Sequence, residues 1–522
     1  MGATAGHDSS TDRKSVSVLF RASFPLKSAR AVAALNLETN FDLLMTIFAW
    51  LKIIPTRAAI LLLVPLCADS VLAQTAPASS NHPWIGPWEQ QIKRDAGLVR
   101  DSVSTIDAAK TYSLAELIDF AQANNPETRF AWERARAQAA ALGVARSELY
   151  PTLAAVALSQ TYRDEILAGS QFIRQTFQAF QVAFDLNYTV FDFGGRAGRI
   201  DAAKAEVLVA NFAFNDTHRK IIYQVEKAYY DLLNASGQVE AAQTSLSNAQ
   251  TVQRATEDRL KQGLGTLPDV LEARSATAQA QLELQSVLGA KEIAAGDLAT
   301  ALGVSPTTII PVQAITELAI PDSIGDSANQ AINRAFEQRP DLLQQIAKTQ
   351  SAKGRIKETR AAYFPSLNLN LSPTAQSLYG RERTLPHAYT AGLAGGLSVN
   401  LTWTLFDGGA RKNNLAYAQA NLRAEEARVN VARDQIANEI WAAYSSLNTA
   451  FRQRQAAIAL LEAASQSYAA ALEAYNYGVR SLLDVTAAQR TLAQAQSTDV
   501  KARTQVLNAL AQLAFRTGDK RP

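Results

Sequence analysis

Two stretches carry residue types that could do chemistry: "FDFGGRAGR" at 191–199 and "FDGGARKNN" at 406–414. A glycine cluster beside an arginine, ahead of a helix, is the raw material of a phosphate cradle, where backbone N–H groups meet an anion. However, "GGRAGR" lacks G-x-G-x-x-G spacing and no βαβ unit surrounds it, so nucleotide binding is not expected. Other chemistry is equally thin. His7, His82, His218 and His387 are scattered, and there is no HExxH, GxSxG or Walker pattern. The expectation is a chain with no catalytic residue, no metal ligand and no cofactor.

The elements that hold these stretches decide what they are for. At 522 residues the chain exceeds one ordinary domain, and 48% hydrophobic with 19% charged residues fits a folded protein. Net charge is +3; residues 1–73 hold seven Lys/Arg and five Asp/Glu, so without them it falls to +1. That balance offers no electrostatic case for nucleic acid. From Met45 the chain reads as an export signal: Lys52 and Arg57, an apolar run over 58–66, then Val71-Leu72-Ala73 ahead of Gln74. Met45 is the expected initiator, with 1–44 a spurious extension. Cys67, the only cysteine, lies inside this signal. Leu66 stands where a lipoprotein signal would want a small residue. The mature chain is therefore expected to be free of cysteine, and of every function that needs one.

Self-comparison exposes a duplication. "NNPETR" (124–129) aligns with "QRPDLL" (338–343), and "RSELYPTL" (146–153) with "RAAYFPSL" (360–367), both at a shift of 214. At a shift of 215 the opening stretches align, as do "KQGLGTLPDVLEARSATAQAQ" (261–281) and "NYGVRSLLDVTAAQRTLAQAQ" (476–496). The expected plan is a signal over 1–73, an exported N-terminal segment over 74–110, and repeats over 111–304 and 326–522. A proline-bearing linker over 305–325 joins them.

Each repeat changes period in the same order. Residues 113–149 read as helix, broken at Asn125-Pro126. Strict alternation follows: Val182, Phe184, Leu186, Tyr188 and Val190 oppose Gln181, Ala183, Asp185, Asn187 and Thr189. Leu397, Val399, Leu401, Trp403 and Leu405 oppose Ser398, Asn400, Thr402 and Thr404 in the second copy. Two strands of roughly ten or more residues are expected per repeat. Then come helical runs of some 65 residues, about 196–262 and 411–477, each a rod of roughly 100 Å. A glycine turn and a second helix, 268–302 or 482–516, complete each copy. Alanine and glutamine dominate, as in closely packed coiled coils.

Alternating strands in an exported chain point to a membrane β-barrel, with apolar residues toward lipid and polar ones toward water. Four strands cannot close, and open edges are not tolerated in lipid. Several copies must contribute: two would supply eight strands, three would supply twelve. The alternative from another class is a periplasmic coiled-coil structural or adhesion protein without a pore.

The duplicated layout, "SLAELIDFAQANNPETR", the paired "FDFGGR"/"FDGGAR" and "YNYGVRSLLDV" together resemble the TolC family of outer-membrane efflux channels, over essentially all of 111–518. The resemblance implies a mixed α/β membrane protein, mainly α. Four strands per chain contribute to a homotrimeric 12-stranded barrel in outer-membrane lipid, continued by a long periplasmic α-helical barrel. It also implies a periplasmic adaptor (membrane fusion) protein and an inner-membrane pump or ABC transporter as partners. The implied work is passive exit of drugs, toxic small molecules or a secreted protein.

Site residues follow by matching motifs. The hairpin tips, 259–270 and 474–485, form the periplasmic end, and the resemblance places gating on Asp269, Tyr475, Arg480 and Asp484. Three copies of Asp484 about an axis would favour cations. Asp269 and Asp484 also lie just inside new helices, where a carboxylate is favourable on local grounds alone. Ala487 stands where some family members carry a second Asp, so a double acidic ring is not expected. Gly263 and Gly478 are expected to turn the tips with φ > 0. Leu264 and Val479 beside them are candidate adaptor contacts. At the strand-to-helix corners Phe191 and Phe406 finish the apolar face. Asp192 and Asp407 cap the long helices. Gly194, Gly195, Gly408 and Gly409 allow the sharp change of direction.

Overall fold

The structure, a computed structural model, describes residues 106–107, 109–313, 327–381 and 388–518. The expected export signal with Cys67, His7, His82 and His387 lie outside the described residues, as do most of 74–110 and part of 305–325. Each repeat runs through two short helices, two strands, a long helix and a second helix. In the first these are α1 (Leu114–Asn124), α2 (Pro126–Ser147), β1 (Thr152–Ala168), β2 (Gln171–Phe191), α3 (Gly195–Lys261) and α4 (Leu267–Ala301). In the second they are α5 (Ala328–Gln338), α6 (Pro340–Ala361), β3 (Ser366–Arg381), β4 (Ala388–Thr402), α7 (Ala410–Asn476) and α8 (Leu482–Thr517).

Local chemistry sets the breaks. α1 opens on a capping box in which Ser113 and Glu116 satisfy each other's backbone N–H. It stops at Asn125 because Pro126 has no N–H to extend it. Pro126 then serves as the first residue of α2, where a missing donor costs nothing. The α5–α6 break repeats this with Arg339 and Pro340.

The four strands form one antiparallel sheet in sequence order, so β2 and β3 join the two repeats and β1 and β4 are its edges. The register lines up rows by chemistry. Leu153, Leu186, Leu371 and Leu397 stand opposite one another across all four strands. Thr152, Asn187, Asn370 and Ser398 form the next row, on the other face. Within a single chain the apolar face is bare: Leu393 is 86% exposed, Leu397 and Leu401 68%.

α3 and α7 are 67 residues each, about 100 Å long. α3 packs against α2, α4, α6 and α8, and α7 against α6 and α8. One core lies where α1, α3, α4 and α8 meet, around Leu117, Ile221, Val225, Tyr229, Leu298 and Leu302. A second lies toward the hairpin ends, around Val252, Ala273, Tyr468, Tyr475, Leu482 and Val485. Between the repeats α3 and α6 come within backbone contact. A Cβ on Gly198 would lie 2.8 Å from the Gly354 carbonyl oxygen, and one on Gly354 would lie 2.9 Å from that of Gly198.

Candidate functional site

The hairpin tips are built twice from one backbone solution. α3 ends with Leu264 N–H donating to the Arg259 carbonyl at 2.9 Å and Gly263 N–H to that of Leu260 at 3.0 Å. α7 ends with Val479 N–H on Ala474 and Gly478 N–H on Tyr475, both 2.9 Å. Each is a Schellman turn, which needs a left-handed residue after the helix. Gly263 (φ +73°) and Gly478 (φ +74°) supply it. Leu264 and Val479, next along, are exposed.

The two tip aspartates do local work. Asp269 Oδ2 accepts from the Thr266 N–H (3.2 Å) and hydroxyl (2.6 Å). Asp484 Oδ2 accepts from the Ser481 N–H (3.1 Å) and hydroxyl (3.0 Å). Both therefore close capping boxes at the starts of α4 and α8. Bonds from the Ser481 hydroxyl and backbone, with Arg480 nearby, hold the Asp484 carboxyl below its usual range. Arg480 Nη1 lies 3.6 Å from Asp484 Oδ1 within the same turn, with both side chains exposed. The structure thus brings Arg480 and Asp484 together.

Tyr475 is different in kind: it is buried in the core near the hairpin ends. Burial pushes its phenol pKa up, against the pull of the Arg259 charge. Arg259 Nη1 donates to the Tyr475 carbonyl at 2.8 Å, and the guanidinium lies over the Tyr475 ring. Sequence reasoning missed Arg259. Its signal was an asymmetry between the copies, since the shift of 215 sets Arg259 against Ala474.

At the corners, Asp192 Oδ2 accepts the Arg196 N–H at 2.6 Å, and Asp407 Oδ2 accepts the Arg411 N–H at 3.0 Å. These aspartates cap α3 and α7 from outside the helix. The bond from the Arg411 backbone, with its guanidinium adding to it, lowers the Asp407 pKa. The left-handed residues are Gly194 (φ +95°), Gly408 (φ +64°), Gly409 (φ +90°) and Phe193 (φ +52°). Gly195 instead begins α3. The glycine role expected of it falls to Phe193, the counterpart of Gly408. Phe193 is held by aromatic contacts on two sides, 4.6 Å to Phe191 and 5.0 Å to Phe364. Phe406 is 87% exposed at the other corner.

A charged lock closes the second repeat on itself at the far end of α8. Arg339, 4% exposed, donates to Asp341 Oδ2 at 2.6 Å, Glu439 Oε2 at 2.9 Å and the Arg516 carbonyl at 3.2 Å. Burial alone would raise the Asp341 pKa, but the Arg339 hydrogen bonds win and hold it down. The first repeat makes the matching contact with a neutral group: Asn125 Nδ2 donates to the Ala301 carbonyl at 2.9 Å.

Among the described residues no group of three His, Cys, Asp or Glu is placed to hold a metal ion. No described helix is long and apolar enough to cross a membrane.

Comparison with known proteins matches this architecture. The family model described as "Outer membrane efflux protein" matches residues 117–304 and 331–519. Protein CyaE of Bordetella pertussis is 29% identical over 393 residues, covering 73% of this chain and 79% of that protein. Outer membrane protein OprJ of Pseudomonas aeruginosa is 25% identical over 424 residues, covering 78% and 84%. A crystal structure of a membrane protein from Pseudomonas aeruginosa superposes with a TM-score of 0.69 at 23% identity, covering 80% of this chain and 91% of that one.

Proposed function

We infer the working assembly from one premise: the chain belongs to the outer membrane efflux protein family. It is an outer-membrane channel with a large periplasmic helical part, an exit duct of the kind that serves tripartite efflux pumps and type I secretion systems. The pore-free coiled-coil alternative is set aside on the same grounds.

The observation that carries the assembly is the sheet. It has an apolar face, a polar face and two open edges, β1 and β4. In a bilayer each unpaired edge group costs several kcal/mol, so the arc must be completed by other copies. Three copies give twelve strands, with β4 of one against β1 of the next, and the long helices continue the ring into the periplasm. Leucine rows face lipid and the Asn/Thr/Ser rows face the water-filled lumen. Residues 45–73 act as the export signal. Residues 74–110 precede the two repeats, 111–304 and 326–522, joined by 305–325.

The hairpin tips form the periplasmic aperture, with Asp269, Tyr475, Arg480 and Asp484 as its gating residues. Gly263, Leu264, Gly478 and Val479 form the surface met by a periplasmic adaptor, behind which stands an inner-membrane pump or ABC transporter. The duct itself performs no reaction and needs no cofactor. Cargo is selected by those partners; drugs, toxic small molecules and secreted proteins are the classes that fit. The reading is tested by fractionation: the chain should sediment with outer membrane and run as a heat-sensitive trimer, and a soluble monomer would sink it.

A further inference from the structure

Arg259, in the last turn of α3, reaches from one helical hairpin of the chain to the other. Its Nη1 donates to the Tyr475 carbonyl at 2.8 Å. Its guanidinium lies 4.7 Å from the centroid of the Tyr475 ring. The same carbonyl receives the Gly478 N–H at 2.9 Å. One oxygen at the end of α7 is therefore held by its own turn and by the cation of the neighbouring hairpin. Tyr475 is 6% exposed and packs with Val252, Ala273, Leu482 and Val485. Farther along, α3 and α8 are tied as tightly, by Gln238 with Ser497 (2.7 and 2.9 Å) and by Arg219 on the Phe515 carbonyl (2.7 Å), but the other polar links nearer the tips are looser. Arg490 lies 3.4 Å from Glu272 with both side chains exposed, and Gln489 Nε2 is 3.5 Å from the Ser245 carbonyl.

We propose that Arg259 is the latch of the periplasmic end, a positioning residue that keeps the two hairpin tips together at rest. The proposal builds on the aperture reading above. A hydrogen bond from a charged donor is worth more than a neutral one, and a cation over an aromatic face adds to it. Both contacts converge on one residue, so a movement that parts α7 from α3 must break them together. The second repeat places Ala474 at the matching position, where there is no donor, so the tie is made in one direction and within one chain.

The test compares wild type, Arg259→Ala, Arg259→Lys and Arg254→Ala in planar bilayers. Arg254 is a suitable control because its bonds run to Gln250 and Thr251 of its own helix. Arg259→Ala should raise resting open occupancy on the order of tenfold, the consequence of losing one charge-assisted hydrogen bond. Arg259→Lys keeps the charge without the fork and should give a smaller rise, and Arg254→Ala should match wild type. All four should run as the same heat-sensitive oligomer. Wild-type resting conductance in Arg259→Ala would overturn the latch and leave the duct standing, whereas a wild type that never conducts would overturn the duct itself. If Arg259→Ala does not assemble, Arg259→Lys decides: a rise supports the latch and wild-type conductance overturns it.

Discussion

Gly198 of α3 and Gly354 of α6 meet backbone to backbone at the joint between the two repeats. A Cβ on Gly198 would lie 2.5 Å from the Glu358 nitrogen, closer than real side chains come, and the obstructing atoms are main chain that cannot swing aside. Gly198→Val should therefore push α3 off α6, costing about 1–3 kcal/mol as overpacking does. The measurement is the dissociation temperature of the oligomer. Gly289→Val is a matched control, because a Cβ there meets nothing within 4 Å.

The lock around Arg339 predicts acid sensitivity with a definite sign. The Asp341 pKa is depressed in the fold, so its contribution is complete above the ordinary carboxylate value and fades as pH falls through the depressed one. Oligomer stability should therefore drop below about pH 4, and Asp341→Asn should flatten that part of the profile. Arg339→Met removes the cation shared by Asp341 and Glu439 and should cost about 2 kcal/mol at neutral pH, below the range for fully buried pairs, because the carboxylates are about a third exposed and keep Arg219 and Arg516 as partners. A pH profile identical in wild type and Asp341→Asn would remove Asp341 from the account.

Capping and ion selection at the tips separate by mutation. Ser481→Ala removes the hydroxyl that pairs with Asp484 and should cost about 1 kcal/mol of helix stability while leaving the charge in place. Asp484→Asn removes the charge and should weaken cation preference or block by multivalent cations. Unchanged selectivity in Asp484→Asn would reduce this residue to its cap.

The tip glycines are a matter of backbone conformation alone. A Cβ on Gly478 meets nothing within 4 Å, yet φ is +74°. Gly478→Ala should cost about 1 kcal/mol, and Gly263→Ala the same at the other tip. Equal thermal stability in wild type and Gly478→Ala would show that the turn tolerates a side chain.

Much of the fold was legible because it repeats. Alternation marked β2 and β4, and Pro126 and Pro340 marked the helix breaks. β1 was the weakest reading: alanine at 154, 155 and 157 blurs its two faces, and the pairing of Thr152–Ala168 with β2 supplies what its own pattern lacks. At the tips a T-x-x-D or S-x-x-D spacing looks the same whether the carboxylate caps a helix or faces an aperture, and only the hydrogen bonds display the cap. Phe193 was hidden because a left-handed phenylalanine has no sequence signature; its aromatic neighbours hold it there. Arg259 was hidden because its partner lies 216 residues away, on a different hairpin.

The most direct test of the central claim, that copies of this chain close into one duct, is conductance. Purified protein that runs as a heat-sensitive trimer should insert into a planar bilayer in unit steps and lose activity with the trimer on heating. A folded, monodisperse protein that stays soluble and passes no current would contradict it.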